Sequence, residues 1–230
     1  MAFRSGSMEG VDRLMKLSVP VSEFQSYVRT LVEREFPDGR SVELESAIDA
    51  ALQRTEFCFK HVALRGYRTA DGDANFSHLH GDQFATFLYL LANSAWRAGD
   101  EALAGKVMLL NRTRHAIAIM YDTILPDIFV IPHTVGTVIG KGTYGDYLVV
   151  CQNVTVANDI TSSLTIGSGV ILFPGAFVVG TGTIGSGSVI TANTTISYND
   201  IPPDSMVRGC SPHLEIWPRK REFLNRFFIS

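Results

Sequence analysis

Six aliphatic residues in the second half of the chain recur at an unbroken interval of six positions. They are Ile166, Leu172, Val178, Ile184, Ile190 and Ile196. An interval of six is neither the 3.6 of an α-helix nor the 2 of a half-buried strand. Small and polar residues fill most of the positions between them, as is typical of a hexapeptide repeat. The pattern therefore predicts a parallel β-helix, in which three hexads form one triangular coil.

The repeat is less clear toward the N-terminus, where two phases compete. One phase is formed by Leu148, Val154 and Ile160, and the other by Val150 and Val156. One continuous run of hexads cannot hold both phases, so we expect a loop or a register shift between Val156 and Ile166. Glycine, serine and threonine between the aliphatic positions are expected at the corners, where a larger side chain would clash.

Before about Tyr121 the apolar positions follow helical spacing instead. One stripe recurs at i, i+3, i+4, i+7, i+11 and i+12, and consists of Phe84, Phe87, Leu88, Leu91, Ala95 and Trp96. We expect Asp82 to cap this helix and Gly99 to end it. Similar spacing predicts helices at 21–35, 42–59 and 101–118, with a loop at 67–81.

The two patterns together predict an α+β protein with two modules. We expect an α-helical domain at residues 8–120, a parallel β-helix domain at 121–207 and a C-terminal tail at 208–230. The chain of 230 residues is 46% hydrophobic, which is sufficient for one or two compact units with a real core.

Charge and apolar patterning exclude several classes of partner. The formal net charge is −3, and the sequence has no basic stripe of the kind that binds nucleic acid. The apolar runs at 84–96 and 170–179 are too short or too interrupted to span a bilayer, and no signal peptide opens the chain, so we expect a cytoplasmic protein without membrane contact. Three cysteines lack metal or disulfide spacing. Only His133 and His213 lie in the second half, so we expect no three-histidine zinc site and no metal.

A family resemblance rests on two elements of the β-helix module. The first is Pro126-Asp127-Ile128-Phe129-Val130-Ile131-Pro132-His133-Thr134-Val135-Gly136-Thr137-Val138-Ile139-Gly140, and the second is Gln152-Asn153-Val154-Thr155-Val156. They resemble the serine O-acetyltransferase family of hexapeptide-repeat acyltransferases, in which a His-x-x-Gly-x-x-x-Gly segment precedes a Gln-x-Val-Thr element. The helical N-terminal part and the tail at 201–212 match that family's plan. The resemblance implies a left-handed β-helix and covers roughly residues 80–215.

The sequence departs from this family around the acceptor. Pro132 stands where the family has an aspartate, and a substrate loop is shortened to Thr161-Ser162-Ser163-Leu164. No guanidinium stands where the family binds the carboxylate of serine. The acetyl-CoA half of the resemblance is therefore stronger than the serine half, and the acceptor is open between serine, a sugar and another small hydroxyl compound.

The resemblance implies a catalytic histidine at His133. A neutral imidazole can take the proton of an acceptor hydroxyl while backbone N–H groups stabilise the oxyanion. Direct transfer is expected, since no serine or cysteine stands beside a base in the sequence. A carboxylate usually orients such a base, and Asp122 and Asp127 are the candidates.

The same resemblance implies where coenzyme A and the acceptor bind. The pantetheine arm is expected along small residues of successive coils, with Arg208 near its phosphates, and Asp82 and Gln83 near the acceptor. The small residues are Ala157, Asn158, Pro174, Gly175, Thr191 and Ala192. A homotrimer with sites between subunits is implied, and pairing of two trimers into a hexamer is left open. The alternatives are an amino-sugar N-acetyltransferase on the same fold and a non-catalytic β-helix assembly scaffold.

Overall fold

The structure, a computed structural model, describes residues 15–39, 44–158 and 164–229. Four N-terminal helices precede a left-handed parallel β-helix of about five turns, which confirms the predicted α+β architecture. The helices are α1 (Val21–Glu35), α2 (Glu45–Phe59), α3 (Gly81–Arg97) and α4 (Glu101–His115). Two short parallel strands, β1 (Lys16–Leu17) and β2 (Asn75–Phe76), accompany them. No helix in these ranges is long and apolar enough to cross a membrane.

The helix predictions are confirmed apart from details at the helix ends. The N-cap of α3 is His80, and Asp82 lies in the first turn, so the predicted cap is wrong. Helix α4 ends at His115 rather than at residue 118, because Ala116 adopts a left-handed conformation with φ 50°. The first two positions of the helix predicted at 42–59 lie outside the described residues.

Helix α3 is the central element of the helical part and joins it to the β-helix. Its buried residues lie on most sides of the helix, which fits packing against neighbours on several faces. The phenol of Tyr89 donates to the carbonyl of Thr123 at 2.8 Å and accepts from the amide of Leu125 at 3.0 Å. These bonds fix the segment that enters the first coil of the β-helix.

The strands of the β-helix stack in three rows, one for each face of the prism. In chain order they are β3 (Ala118–Ile119), β4 (Phe129–Val130), β5 (Val138–Ile139), β6 (Thr143–Tyr144), β7 (Leu148–Val150), β8 (Thr155–Ala157), β9 (Leu164–Ile166), β10 (Ile171–Leu172), β11 (Phe177–Val179), β12 (Gly182–Ile184), β13 (Val189–Ile190), β14 (Thr195–Ser197) and β15 (Ser205–Cys210). The first row is β4-β7-β10-β13-β15, the second row is β3-β5-β8-β11-β14, and the third row is β6-β9-β12. The prism thus begins at Ala118, three residues before the predicted domain boundary.

The six hexad residues form the core of the prism, as predicted, and each is at most 1% exposed. Val150 is paired with Leu172, and Val156 with Val178, so the second of the two competing phases is the one in register. Ile166 lies ten positions after Val156 instead of six. The expected register shift is therefore real, and residues 159–163, with Ile160 of the other phase, lie outside the described residues.

The C-terminal residues return along the outside of the prism to the helices. Strand β16 (His213–Pro218) pairs antiparallel with β15, and residues 219–229, here called the strap, follow it. The amide of Arg219 donates to the carbonyl of Asp204 in the last coil at 2.7 Å. At the other end the amide of Ile229 donates to the carbonyl of His61 just after α2 at 2.8 Å. The strap therefore connects the last coil to the helical part.

Candidate active site

One corner of the prism carries the predicted base His133 and four of the predicted coenzyme contacts. It lies between the first and second rows, and its residues stack coil on coil through backbone hydrogen bonds. The amide of Asn153 donates to Val135 at 2.9 Å, that of Gly175 to Gln152 at 3.1 Å, and that of Asn193 to Pro174 at 3.0 Å. The corner column, as this stack is called below, consists of residues 131–137, 151–154, 173–176 and 191–194.

The first corner of the column is larger than the three below it. Eight positions separate Val130 in the first row from Val138 in the second row. The corresponding pairs of positions in the next three coils are 149 and 155, 171 and 177, and 189 and 195, and each is six positions apart. The first corner therefore contains two additional residues, and the register assigns them to the segment around His133 and Thr134.

Backbone conformation identifies which residue of this corner is additional. Each lower corner has one residue with positive φ, namely Asn153, Gly175 and Asn193. The first corner has two, Gly136 at 76° and His133 at 54°. A Cβ on Gly136 would lie 2.1 Å from Oδ1 of Asn153, so these two residues are stacked equivalents. His133 therefore has no counterpart in the lower coils, and its side chain is exposed on the enlarged corner.

The end of α4 holds the enlarged corner in place. The buried hydroxyl of Thr134 donates to the carbonyl of His115 at 3.1 Å, and the amide of Gly136 donates to Ala116 at 2.9 Å. Among the described residues, the amides of His133, Thr134 and Val135 have no acceptor. The corner thus combines an exposed imidazole with three consecutive free N–H donors, an arrangement that suits a developing negative charge.

The two carboxylates predicted to orient His133 lie elsewhere in the chain. Asp122 forms an ion pair with Nζ of Lys141 at 2.6 Å, beyond the far end of β5. Asp127 lines a cleft beside Arg54. His133 itself forms no hydrogen bond or ion pair with any described residue. The structure does not bring either aspartate into contact with His133 within one chain, and the orienting role stays a prediction.

A second group of polar side chains lies around the start of α3, behind the first corner. Burial is the main cause that lowers the pKa of His115, and the nearby charge of Asp82 opposes it. Burial, and secondarily the charge of Asp82, raises the pKa of Tyr67. Three buried atoms here have no partner in the described structure: Oη of Tyr67, Nδ1 of His80 and Nε2 of His115. Such atoms are costly unless water or a ligand satisfies them, so a polar pocket is expected here.

Sequence reasoning missed two members of this group, His115 and Tyr67. Asp82, predicted as an acceptor contact, does lie in the group. Gln83, the other predicted acceptor contact, is fully buried. Its amide accepts from the backbone of Ser77 at 2.7 Å and donates to Gly66 at 2.9 Å. Gln83 therefore holds the loop before α3.

The predicted coenzyme contacts divide between two corners. Pro174, Gly175, Thr191 and Ala192 lie in the corner column below His133. Arg208 continues it, since it follows Val207, whose carbonyl accepts from the amide of Thr191 at 3.0 Å. Ala157 is the last residue of β8 and Asn158 follows it, so both lie at the other end of this strand, away from the corner column. The guanidinium of Arg208 bonds to Glu215 at 2.6 and 2.8 Å, so a phosphate would share it with this carboxylate.

His133 is the main reactive group of the corner column, because the buried thiols are protonated and no metal-ligand cluster is found among the described residues. Burial raises the pKa of Cys58 to about 12 and that of Cys151 to about 11, so both thiols are protonated near neutral pH. Cys210 is exposed. Within the described residues, no group of three or more His, Cys, Asp or Glu side chains could hold a metal ion.

Comparison with solved structures identifies several with the same fold. The serine acetyltransferase from Vibrio cholerae superposes with a TM-score of 0.60 at 21% identity, covering 92% of this chain and 77% of that one. The Brucella abortus enzyme gives 0.61 at 16% identity, with coverage of 84% and 83%. Soybean serine acetyltransferase complexed with serine gives 0.56 at 20% identity, with coverage of 89% and 80%. No protein-family model matches the sequence, and no curated protein matches it.

Proposed function

We propose that the protein is an acetyl-CoA-dependent O-acetyltransferase that transfers acetyl directly to a hydroxyl of a small acceptor, with His133 as the general base. The observation that carries this proposal is the enlarged first corner. It combines an exposed imidazole with three N–H groups that have no acceptor among the described residues, at the head of the corner column. The fold shared with three serine acetyltransferases supports the same reaction class.

The chemistry requires a base and an anion site, and the first corner offers both. Neutral His133 would accept the proton of the acceptor hydroxyl, because an unassisted alcohol is a poor nucleophile near neutral pH. The amides of His133, Thr134 and Val135 are the candidate donors to the oxyanion. Bound acetyl-CoA would supply the activated acyl group as a thioester. Cys58 and Cys151 are protonated and buried, which favours direct transfer over a covalent acyl-enzyme.

The corner column fits the pantetheine arm of coenzyme A. Gly175 and Ala192 leave the backbone accessible below His133, and Ala192 is exposed. Arg208 lies at the far end of the column, where the phosphates would need a cation. Ala157 and Asn158 would reach the coenzyme only from another direction, as happens when two subunits face each other across a groove.

The group around Asp82 is the proposed acceptor site. Asp82 gives it a negative charge, and His115 and Tyr67 add polar atoms that have no partner among the described residues. These groups suit an acceptor with several hydroxyls or with an ammonium group. Serine, which the soybean enzyme binds in its solved complex, and amino sugars both belong to this class.

We propose a homotrimer in which the second row faces a neighbouring subunit. Its outward residues Val138 and Phe177 are 40% and 41% exposed, whereas the outward residues Val149 and Ile171 of the first row are at most 1% exposed. These two exposed apolar side chains, which alternate with Thr155 and Thr195 along the row, would be covered on association. Native mass spectrometry tests this point: a trimer, or a hexamer made from two trimers, supports it, and a monomer at micromolar concentration contradicts it.

The decisive test is release of free thiol from acetyl-CoA in the presence of L-serine, homoserine, hexoses and amino sugars, with mass analysis of the product. Release that depends on a hydroxyl acceptor, with an ester as product, supports the proposal. An amide product from an amino sugar favours the N-acetyltransferase alternative. No release with any acceptor, together with no stabilisation by coenzyme A in a thermal melt, favours a non-catalytic scaffold.

A further inference from the structure

A cleft separate from the corner column lies where the helical part meets the β-helix. Its volume is about 270 Å³, and it is lined by Gln53, Arg54, Phe57, Leu90 and Asp127. Arg54 and Phe57 belong to α2 and Leu90 to α3, whereas Asp127 precedes β4 of the first coil. The cleft therefore lies between two elements of the helical part and the entrance of the prism.

The guanidinium of Arg54 is fixed in this cleft but forms no ion pair with a described carboxylate. Its Nη1 donates to Oδ1 of Asn93 at 3.0 Å, to Oγ of Ser94 at 3.0 Å and to the carbonyl of Leu90 at 3.4 Å. Among the described residues, Nε and Nη2 have no partner and no carboxylate forms an ion pair with Arg54. One edge of the guanidinium is thus held in place while the other stays available, as a bidentate carboxylate site requires.

The electrostatic environment also favours an incoming anion at Arg54. Burial lowers the pKa of Arg54, the positive charge of Arg97 lowers it further, and the charge of Asp127 opposes both. A partly buried cation close to a second cation gains stability when an anion binds. Asp127, which lines the same cleft and is exposed, supplies a negative charge.

Apolar surface also lines the cleft. The ring of Phe57 is 49% exposed although it lies beside the cleft, and Leu90 contributes a second apolar wall. A ligand that satisfies all four groups carries a carboxylate for Arg54, an ammonium for Asp127 and a short apolar body for Phe57 and Leu90. These three features together describe an α-amino acid with an apolar side chain.

We propose that this cleft is a second small-molecule site, distinct from the corner column, which binds an apolar α-amino acid between Arg54 and Asp127. Because the cleft joins α2 and α3 to the first coil, a bound ligand would link the helical part to the segment that leads to His133. The proposal does not depend on acetyl transfer, because binding to the cleft is measured without coenzyme A, although Asp127 is also one of the two carboxylates predicted to orient His133.

The test uses isothermal titration of the full chain with L-leucine, which has no hydroxyl to acetylate, without coenzyme A. 4-Methylpentanoate, which has only the carboxylate, and 3-methylbutylamine, which has only the amine, are the matched probes. We expect L-leucine to bind the wild type and His133→Ala equally, and to bind Arg54→Met at least about tenfold more weakly. Asp127→Asn should weaken the binding of L-leucine and leave the weaker binding of 4-methylpentanoate unchanged.

Two further variants make the result independent of folding. Arg54→Lys retains the charge and the stem but loses the planar fork, so it should fold and still bind L-leucine more weakly than the wild type. Arg34→Met removes an exposed arginine outside the cleft and should bind as the wild type does. Absence of L-leucine binding to the wild type, or equal binding to the wild type, Arg54→Lys and Asp127→Asn, would overturn the proposal. Loss of binding in His133→Ala would instead assign L-leucine to the corner column.

Discussion

The first corner of the corner column differs from the three lower corners, which follow the regular repeat, and the proposed chemistry lies at the first corner alone. The three lower corners each span six positions and have one residue with positive φ, Asn153, Gly175 or Asn193. The first corner spans eight positions, has two such residues and is bonded to the end of α4. The hexapeptide repeat is sufficient to build the lower corners, whereas the first corner requires the helical part as well. The difference suggests that the helices serve to complete and hold the one irregular corner.

The largest expected effect comes from removing the group that only the first corner has. His133→Ala should reduce kcat for acetyl transfer by about 10²–10⁴-fold, the usual contribution of a general base. The melting temperature should stay within about 1 °C, because the side chain is exposed and has no hydrogen-bond or ion-pair partner among the described residues. Thiol-release kinetics and a circular dichroism melt measure the two quantities.

His213→Ala is the matched control for that variant, because it removes an exposed histidine on β16. Its kcat should equal that of the wild type. If His133→Ala retained more than about a tenth of the wild-type kcat, the first corner would not supply the base.

The next effect concerns the lower corners as a binding surface. Ala192→Trp places a large side chain on the exposed corner of the fourth coil and should raise KM for acetyl-CoA at least about tenfold. The value of kcat at saturation should change much less, since His133 lies three coils away. Thr183→Trp, on an exposed position of the third row, is the control and should leave KM unchanged. Equal KM values for the two tryptophan variants would show that the coenzyme does not follow the corner column.

A smaller effect separates the positioning of His133 from ordinary stability. Thr134→Val and Thr194→Val each remove one buried corner hydroxyl, which should cost about 1 kcal/mol and lower the melting temperature by about 2–4 °C. Of these two hydroxyls, only that of Thr134 bonds to α4. We therefore expect Thr134→Val to lower kcat about threefold to tenfold and Thr194→Val to leave kcat unchanged. The same kcat for both variants would contradict a specific role of the α4 contact.

The smallest effect is the pH dependence that His115 contributes. Because burial lowers its pKa in the folded state, the unfolded chain binds the proton more readily. Stability should therefore fall as the pH decreases through about 6.5, the unperturbed value, until the folded state is protonated too. In His115→Asn, the decrease in melting temperature between about pH 7 and pH 5 should be smaller by about 1–2 °C than in the wild type. A melting curve with the same pH slope in both proteins would contradict this assignment.

Local pattern was sufficient to predict the regular parts of the structure. Helix α1 has the predicted bounds, and all six hexad residues face the core, because periodicity depends only on which side a residue faces. Asp82 was mistaken for a cap because cap identity depends on backbone geometry, and here His80 occupies that position. The burial of Gln83 was not predictable from the sequence, because its two partners, Ser77 and Gly66, lie in a loop without periodicity; its role as an acceptor contact stays a prediction.

The irregular features depend on contacts between distant segments, which one sequence does not reveal. The two additional residues at the first corner become visible only when strand register is known on both sides of it. Likewise, His115 and Tyr67 lie far apart in the chain and near Asp82 only after α3 and α4 have packed. A histidine at the end of α4, directly before the first strand of the prism, was the one available signal for this group.

The central claim is that the enlarged first corner presents His133 to a thioester held along the corner column. A crystal structure of the oligomer with coenzyme A tests it most directly. We expect the sulfur of the coenzyme beside the His133 imidazole, so that one acceptor hydroxyl could contact both groups. We expect the pantetheine arm to lie along Gly175 and Ala192. A coenzyme bound at another corner or face, with His133 open to solvent in the assembled oligomer, would contradict it.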